Sequence, residues 1–453
     1  MQFRNTTFSN NYGNKGKEQM FDKICTEFNS FKGAPLGRGS YGRAYKLENF
    51  GDFFHNSKNI VVKEIDTNGA QSTCIEKTMY QDKQKKYPLM MGTKNDQPKQ
   101  VEAFYCYGDN TVLSEYYISL RASLLNSENF IETYIYKDCV NEGKQYIFME
   151  QIDTTFRKYL ETYTPTPSNQ RKFDAIVVQL LHALWCLHKA GINHYDSKAD
   201  NIFLKKADGY ITKDGSRLQD YDYVEYDFGS GGIIKIPVKD IDYVVKVGDF
   251  GLSQKYSEPR VLTDYIEQDW MLDYLCPFYD IMLAFADIED NTSPLYKTIQ
   301  SFILGFDESI NFVTNEFDRE KINKLWSVIR CECNIMCSKV KTTDNVIKTY
   351  TQENLEYFFK NNYKNFASCI FYNSYDADRD RRQTYNFPLS LMKDSDIDIN
   401  KIISMGFFQE QLKQYGWDQL DSHSVLKFGG PGPYKFPRSA GDLPESDIDS
   451  EFD

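Results

Sequence analysis

The stretch that most constrains this chain is an apolar helix running straight into a polar octapeptide. Residues 171–189 carry Ile176, Leu180, Leu181, Leu184 and Leu187 on one face, at the spacing of a 3.6-residue period. His194-Tyr195-Asp196-Ser197-Lys198-Ala199-Asp200-Asn201 follows, and the apolar pair Ile202-Phe203 closes it. Any one of these polar residues alone reads as a solvated loop. Together, between a buried helix and a buried strand, they read as a constellation held in place.

Upstream the pattern changes. Residues 31–65 read as short strands around a glycine-rich turn, closing on a β-branched strand that ends in Val61-Val62-Lys63. Residues 66–110 are polar and lysine-rich around Gln81–Gln100, and read as an insertion with few periodic apolar positions. Residues 111–125 place Leu113, Ile118, Leu120 and Leu124 at helical spacing, and Tyr146-Ile147-Phe148-Met149 reads as a short buried strand. From residue 300 onward the pattern is mainly helical. A mostly β part followed by a mostly α part is an α+β chain with a cleft between the two.

Several further groups carry chemistry. Gly37-Arg38-Gly39-Ser40-Tyr41-Gly42 is weak evidence alone, because glycines serve many turns. A strand at Ala44–Leu47, not a helix, follows it, which argues against a dinucleotide-binding turn. Lys63 lies one hairpin further on and needs a carboxylate to fix its ammonium. Glu115 on the 111–125 helix is the first candidate and Glu102 the second. Asp249-Phe250-Gly251 follows the apolar strand Tyr243–Val247, whereas Asp227-Phe228-Gly229 spells the same tripeptide closer to Asn201. The leading strand and the trailing Leu252-Ser253 favour Asp249, with Asp227 as the alternative. That choice makes residues 205–242 an acidic, glycine-containing insertion on the surface.

Taken together, residues 31–290 resemble the protein kinase family, whose catalytic loop reads HRDLKxxN and whose metal-binding motif reads DFG. The resemblance implies a bilobal fold with a β-rich N-lobe carrying one helix and a larger, mainly α-helical C-lobe. It implies ATP and Mg2+ as cofactors and a protein with a Ser or Thr acceptor as substrate. Asp196 would accept the hydroxyl proton, Lys198 would neutralise the transferring phosphoryl group, and Lys63 with Glu115 would hold the α- and β-phosphates. Asn201 and Asp249 would bind the metal. Leu36, Gly37, Gly39, Gly42, Ala44, Val62, Met149, Glu150, Ile152 and Phe203 would surround the nucleotide, with Gln151 also in the hinge. Asp280 resembles the buried aspartate that holds the catalytic-loop backbone, although an acidic residue on a helix is usually exposed. On this reading residues 1–30 are a polar leader, 31–152 the N-lobe with its insertion at 66–110, and 153–375 the C-lobe with its insertion at 205–242. Residues 376–428 are then a C-terminal extension and 429–453 a Gly/Pro linker with an acidic tail.

There are departures from the family. Tyr195 replaces the arginine that commonly receives an activation-loop phosphate, which implies constitutive activity or another mode of regulation. Between Asp249 and Asp280 there is no APE motif, so the peptide-docking platform is reduced and substrate preference is open. Ala44, Val62 and Phe203 stand where Val, Ala and Leu are usual, a set of volume changes compatible with ATP binding. The divergent N-lobe, the Ser-Glu-Tyr-Tyr-Ile-Ser-Leu helix and the missing APE resemble Ser/Thr kinases of large DNA viruses, a resemblance that adds virion association to an otherwise intracellular expectation. Since Lys63, Asp196, Asn201 and Asp249 are all present, an active kinase is favoured over a pseudokinase scaffold. The missing APE keeps a small-molecule kinase in view.

Composition narrows the remaining classes. A net charge of −12 disfavours general nucleic-acid binding. No apolar run approaches the roughly 20 residues that cross a bilayer. Cys331, Cys333 and Cys337 have neither a fourth cysteine nor a histidine nearby, so a closed zinc site is not expected. From Asp442 the chain holds six carboxylates and little to bury, which predicts a disordered tail that aids solubility, with acidic-context phosphosites at Ser446 and Ser450 as the less favoured alternative.

Overall fold

The computed structural model describes residues 24–39, 42–47, 60–67, 73–81, 99–107, 112–125, 128–213, 215–257, 260–263, 275, 277–285, 288, 293–296, 299, 399–418 and 424–428. The leader up to residue 23, the Cys331/Cys333/Cys337 group, most of the helical pattern beyond 300 and the tail with Ser446 and Ser450 lie outside the described residues.

A helix, α1 (Ile24–Phe31), leads directly into β1 (Lys32–Gly39), which turns into β2 (Gly42–Leu47). With β3 (Ile60–Asp66), β6 (Thr133–Cys139) and β7 (Lys144–Glu150) these strands form an antiparallel sheet in the order β1-β2-β3-β7-β6. A strand sends alternate side chains to opposite faces, and both faces of this sheet are covered. On one face Tyr45, Leu47, Ile60, Val62, Tyr146 and Phe148 pack with Ile24 and Phe28 of α1. On the other, Ile65 and Ile147 meet Val112 of α2 (Val112–Ser123). A disulfide between Cys25 and Cys139 ties α1 to β6.

Two elements of this lobe differ from the sequence reading. The strand carrying Lys63 continues to Asp66, so the lysine stands in mid-strand rather than at its end. Residues 66–110 contain a hairpin, with β4 (Thr73–Gln81) and β5 (Lys99–Tyr107) paired antiparallel over nine positions.

The second lobe is organised on α4 (Pro167–Lys189), which follows β8 (Thr154–Thr155) and α3 (Phe156–Thr162). Thr166 caps α4 by accepting from Asn169 N, and Pro167 occupies the first turn, where its missing N–H costs nothing. From Phe173 to His188 every residue of α4 is buried, as expected of a helix at the centre of a lobe. The octapeptide sits between β9 (Ile192–Asn193) and β10 (Ile202–Lys206), and β10 pairs antiparallel with β13 (Tyr243–Val247).

Residues 205–242, expected on the surface, are half core. They hold a hairpin, β11 (Tyr223–Asp227) and β12 (Ile233–Pro237), whose Val224, Tyr226, Phe228, Ile234 and Ile236 are fully buried. The reason is α4: its His182 and Trp185 present aromatic surface that Tyr226 and Phe228 cover. Each such aromatic removed from water contributes roughly 1.5–3 kcal/mol before entropy is counted.

β14 (Gln254–Lys255), β15 (Arg260–Thr263) and α5 (Pro277–Phe285) follow. Much later, α6 (Ile399–Ser404), α7 (Gly406–Tyr415) and β16 (Val425–Phe428) return to this lobe. There β16 adds to β11 in parallel, and Phe408, Leu412 and Trp417 enter the main core. Arg171 and the Trp417 indole N–H both bond Asp240 Oδ2, at 2.7 and 3.2 Å. The part of the expected extension that is described is thus built into the lobe.

Candidate active site

Three separate segments meet at Lys63. Its ammonium lies 2.5 Å from Glu115 Oε1 on α2 and 2.7 Å from Asp249 Oδ1 just beyond β13. Burial would depress the Lys63 pKa, but Asp249 and Glu115 outweigh it and hold the ammonium charged. For Asp249, burial pushes upward and the Lys63 charge more than offsets it, so the carboxylate is kept ionised. Glu102, the alternative partner, is on β5, where it pairs with Thr78. Gly251 explains its own place: a Cβ there would stand 3.3 Å from Glu115 Oε2.

The cleft face of the sheet follows from its register. Ala44 stands opposite Lys63, and Val61 stands opposite Met149. Val62, expected beside the nucleotide, points the other way and is fully buried with Phe28 and Phe148. Strand alternation requires this, since Val61 and not Val62 shares the face of Lys63. Leu36 is half-exposed on β1, and Gly39 pairs with Gly42 where the hairpin closes. A Cβ on Gly37 would meet nothing within 4 Å, so that part of the strand faces open space; at Gly42 it would stand 2.7 Å from Glu64 O.

Glu150 is a partial correction. Its carboxylate turns away from the cleft to Lys205 and Lys246, at 2.5 and 3.0 Å, and accepts Glu132 N. Burial would raise its pKa, yet the two lysines hold it down to about 2. Only its backbone remains for a nucleotide. Ile152 follows in the linker to β8, and Phe203 on β10 pairs with Thr155.

On the C-lobe side, Lys198 Nζ is 2.9 Å from Asp196 Oδ2. Asn201 Nδ2 donates to both the backbone oxygen and Oδ2 of Asp196, at 2.8 Å each. Burial raises the Asp196 pKa, with Lys198 opposing it. His194 Nε2 lies 2.9 Å from Gly248 O, and its ring packs on Phe250 with centroids 4.9 Å apart.

Asp280, which the resemblance places beneath the catalytic loop, is fully buried on α5. It accepts the backbone N–H of His194 and of Tyr195 at 2.8 Å, and lies 3.2 Å from Asn193 Nδ2 and 3.1 Å from His188 Nε2. A buried carboxylate of this kind fixes the loop from below. Tyr195 and Asp249 are, among the described residues, the non-glycine positions with left-handed backbone, both at φ 61°. Local strain therefore collects at the two ends of the site.

Asp227 is not part of this assembly. It ends β11, and its Oδ1 accepts Gly229 N at 2.7 Å, a local turn bond.

The donor set suits a hard divalent cation. Asp249 offers carboxylate oxygen, and Asn201, with its Nδ2 committed to Asp196, offers the amide oxygen. No helix among the described residues is long and apolar enough to cross a membrane.

Sequence reasoning missed Tyr256, which is fully buried and bonds Tyr195 through its hydroxyl at 2.6 Å. Nothing local in the sequence marks it. Asn193 and His188 were also missed, although their position flanking the octapeptide offered a hint.

The family model described as Protein kinase domain matches residues 31–272, more than half of the chain. A search of curated proteins returned no match.

Proposed function

The chain belongs to the protein kinase family, a family of phosphotransferases that use ATP and a divalent cation, and on that premise we propose that it phosphorylates serine and threonine hydroxyls of a protein with Mg-ATP as donor. The observation that carries this reading is the double engagement of Lys63 by Glu115 and Asp249, next to a closed Asp196–Lys198–Asn201 set. A chain that had lost turnover would have no need to keep these groups in mutual reach.

Each residue has a separate task. Lys63, held by Glu115, lies against the α- and β-phosphates, while the backbone of the Gly37–Gly42 hairpin covers them. Asn201 and Asp249 hold Mg2+, which supplies charge neutralisation on the phosphate oxygens when bound. Asp196 orients the acceptor hydroxyl and takes its proton as the new O–P bond forms. The bond from the γ-phosphorus to the bridging oxygen breaks, and ADP leaves with that electron pair. Lys198 neutralises the transferring phosphoryl group, and its place two residues after Asp196 supports Ser/Thr rather than Tyr acceptors. Met149, the backbone of Glu150, Ile152, Ala44, Leu36 and Phe203 form the walls for adenine. Val61 replaces Val62 in that list.

The test is transfer of labelled γ-phosphate from Mg-ATP to casein, histone and the protein itself, with phosphoamino-acid analysis. Label on serine or threonine is expected, and Asp196→Asn should lower the rate by at least about 10³-fold. Transfer only to a small-molecule acceptor, or none from the wild type, would overturn the reading.

A further inference from the structure

The segment after Asp249 is tied to the catalytic loop by uncharged groups that are already in place. Tyr195 occupies the position before Asp196, with its backbone at φ 61° and its ring buried. Its hydroxyl meets that of Tyr256 at 2.6 Å, and Tyr256 is itself fully buried. The backbone N–H of Tyr256 donates to Gly191 O at 2.7 Å, and Ser253 Oγ donates to His194 O at 3.0 Å. These bonds need no phosphate, and their centre is a buried neutral pair into which a phosphate group would be costly to place.

A second observation is independent of the first. The strands of the segment belong to a five-stranded sheet in the order β4-β5-β15-β14-β9. β9 opens the catalytic loop, β14 pairs with it, and β15 pairs with β5 of the inserted hairpin through Arg260↔Ala103 to Thr263↔Cys106. One ladder therefore runs from an insertion located between Lys63 and Glu115 to the residue two before Tyr195. The two halves of the Lys63–Glu115 pair flank this insertion in the chain, so ordering it also restrains α2.

We propose that Tyr256 is a positioning residue: with Tyr195 it forms a neutral clamp that, backed by the β4–β5 hairpin, holds the segment after Asp249 in its working position without phosphorylation. The inference rests on the kinase reading and names how that same site is kept assembled.

The clamp is tested in the full chain after phosphatase treatment, with Tyr256→Phe, Tyr195→Phe and the double variant. Each single variant should lower kcat about tenfold with KM for ATP little changed, since the nucleotide contacts are elsewhere. Each should also lower Tm, because the buried hydrogen bond between the two hydroxyls is lost. The double variant removes both hydroxyls, so Tm should return toward wild type while kcat stays low. Recovery of kcat together with Tm would make the pair mere packing and overturn the proposal. Loss of wild-type activity on phosphatase treatment would overturn it too.

Hydrogen exchange separates this proposal from the kinase reading. Amides of residues 254–257 and 260–263 should be protected in the dephosphorylated wild type and exchange at least about tenfold faster in Tyr256→Phe, whether or not phosphate transfer is detected. Unprotected amides in the wild type would refute the clamp alone. Protected amides with no transfer would leave the clamp standing and refute the kinase reading.

Discussion

The chain writes Asp-Phe-Gly twice, at 227–229 and at 249–251, and the two copies end in opposite roles. At the second copy an apolar strand, β13, delivers Asp249 in left-handed backbone to within 2.7 Å of Lys63, and Phe250 packs on His194. At the first copy β11 delivers Asp227 to a local turn, where its side chain caps Gly229 N. There it is the phenylalanine that matters: Phe228 is fully buried, 5.1 Å from the His182 ring and 5.8 Å from that of Trp185. The tripeptide does not carry the function. The partners its strand brings it to do, and in one copy those are charges while in the other they are aromatic rings.

The largest effect expected from this contrast is on turnover. Asp249→Asn should lower kcat by about 10³-fold or more, because it removes one of the two carboxylates on Lys63 and, on the proposed function, an anionic ligand of the metal. Asp227→Asn should leave kcat within about twofold, since it loses at most a single exposed turn bond. Steady-state rates for the two variants side by side decide it, and an inactive Asp227→Asn with an active Asp249→Asn would invert the assignment. Next in size is a stability effect that runs the other way. Phe228→Ala should cost about 3–5 kcal/mol of unfolding free energy, the usual loss for a buried phenylalanine, read by denaturant titration. A loss below about 1 kcal/mol would mean that the 205–242 insertion is not part of the core.

How much of this was legible depends on how local the information is. The octapeptide, the Asp249 motif and α4 could be read because each is one continuous pattern whose spacing carries the chemistry. Glu115 was legible as a charge needed by Lys63, although sequence left Glu102 open, since a hairpin of unread register lay between them. The face of Val61 was legible too, since period-two alternation puts Val61, not Val62, with Lys63. The hairpin at 73–107 was obscured by its charged composition, and only its pairing with β15 shows what it is attached to. Non-local partners outside the kinase motifs had no signal at all. Tyr195 and Tyr256 are 61 residues apart, and Trp417 reaches Asp240 across 177. A side-chain hydrogen bond of that range leaves no periodicity behind.

The smallest expected effect separates the aromatic region from the cleft by pH. Asp174 on α4 is fully buried, and it accepts the Tyr415 hydroxyl at 2.8 Å where α7 docks. Burial pushes its pKa up to about 7, against an ordinary value near 3.8, with hydrogen bonds from Ser293 and Tyr415 opposing. The folded state thus binds this proton more tightly than the unfolded chain. Its contribution to stability is full below about pH 4 and is lost as pH rises through about 7. Glu150 has the opposite sign: held down to about 2, it stabilises above its unfolded value and loses that contribution only as pH falls below about 4. At about 1.4 kcal/mol per unit the Asp174 shift sets an upper bound near about 4 kcal/mol, and relaxation around the carboxylate should reduce the real figure to about 1–2. Asp174→Asn keeps an acceptor for Tyr415 but has no proton to lose. It should therefore raise Tm relative to wild type at pH 8 and not at pH 4, while kcat at either pH is unaffected. A pH-independent change in Tm would show instead that Asp174 acts through packing, and would detach the docking of α7 from any titration.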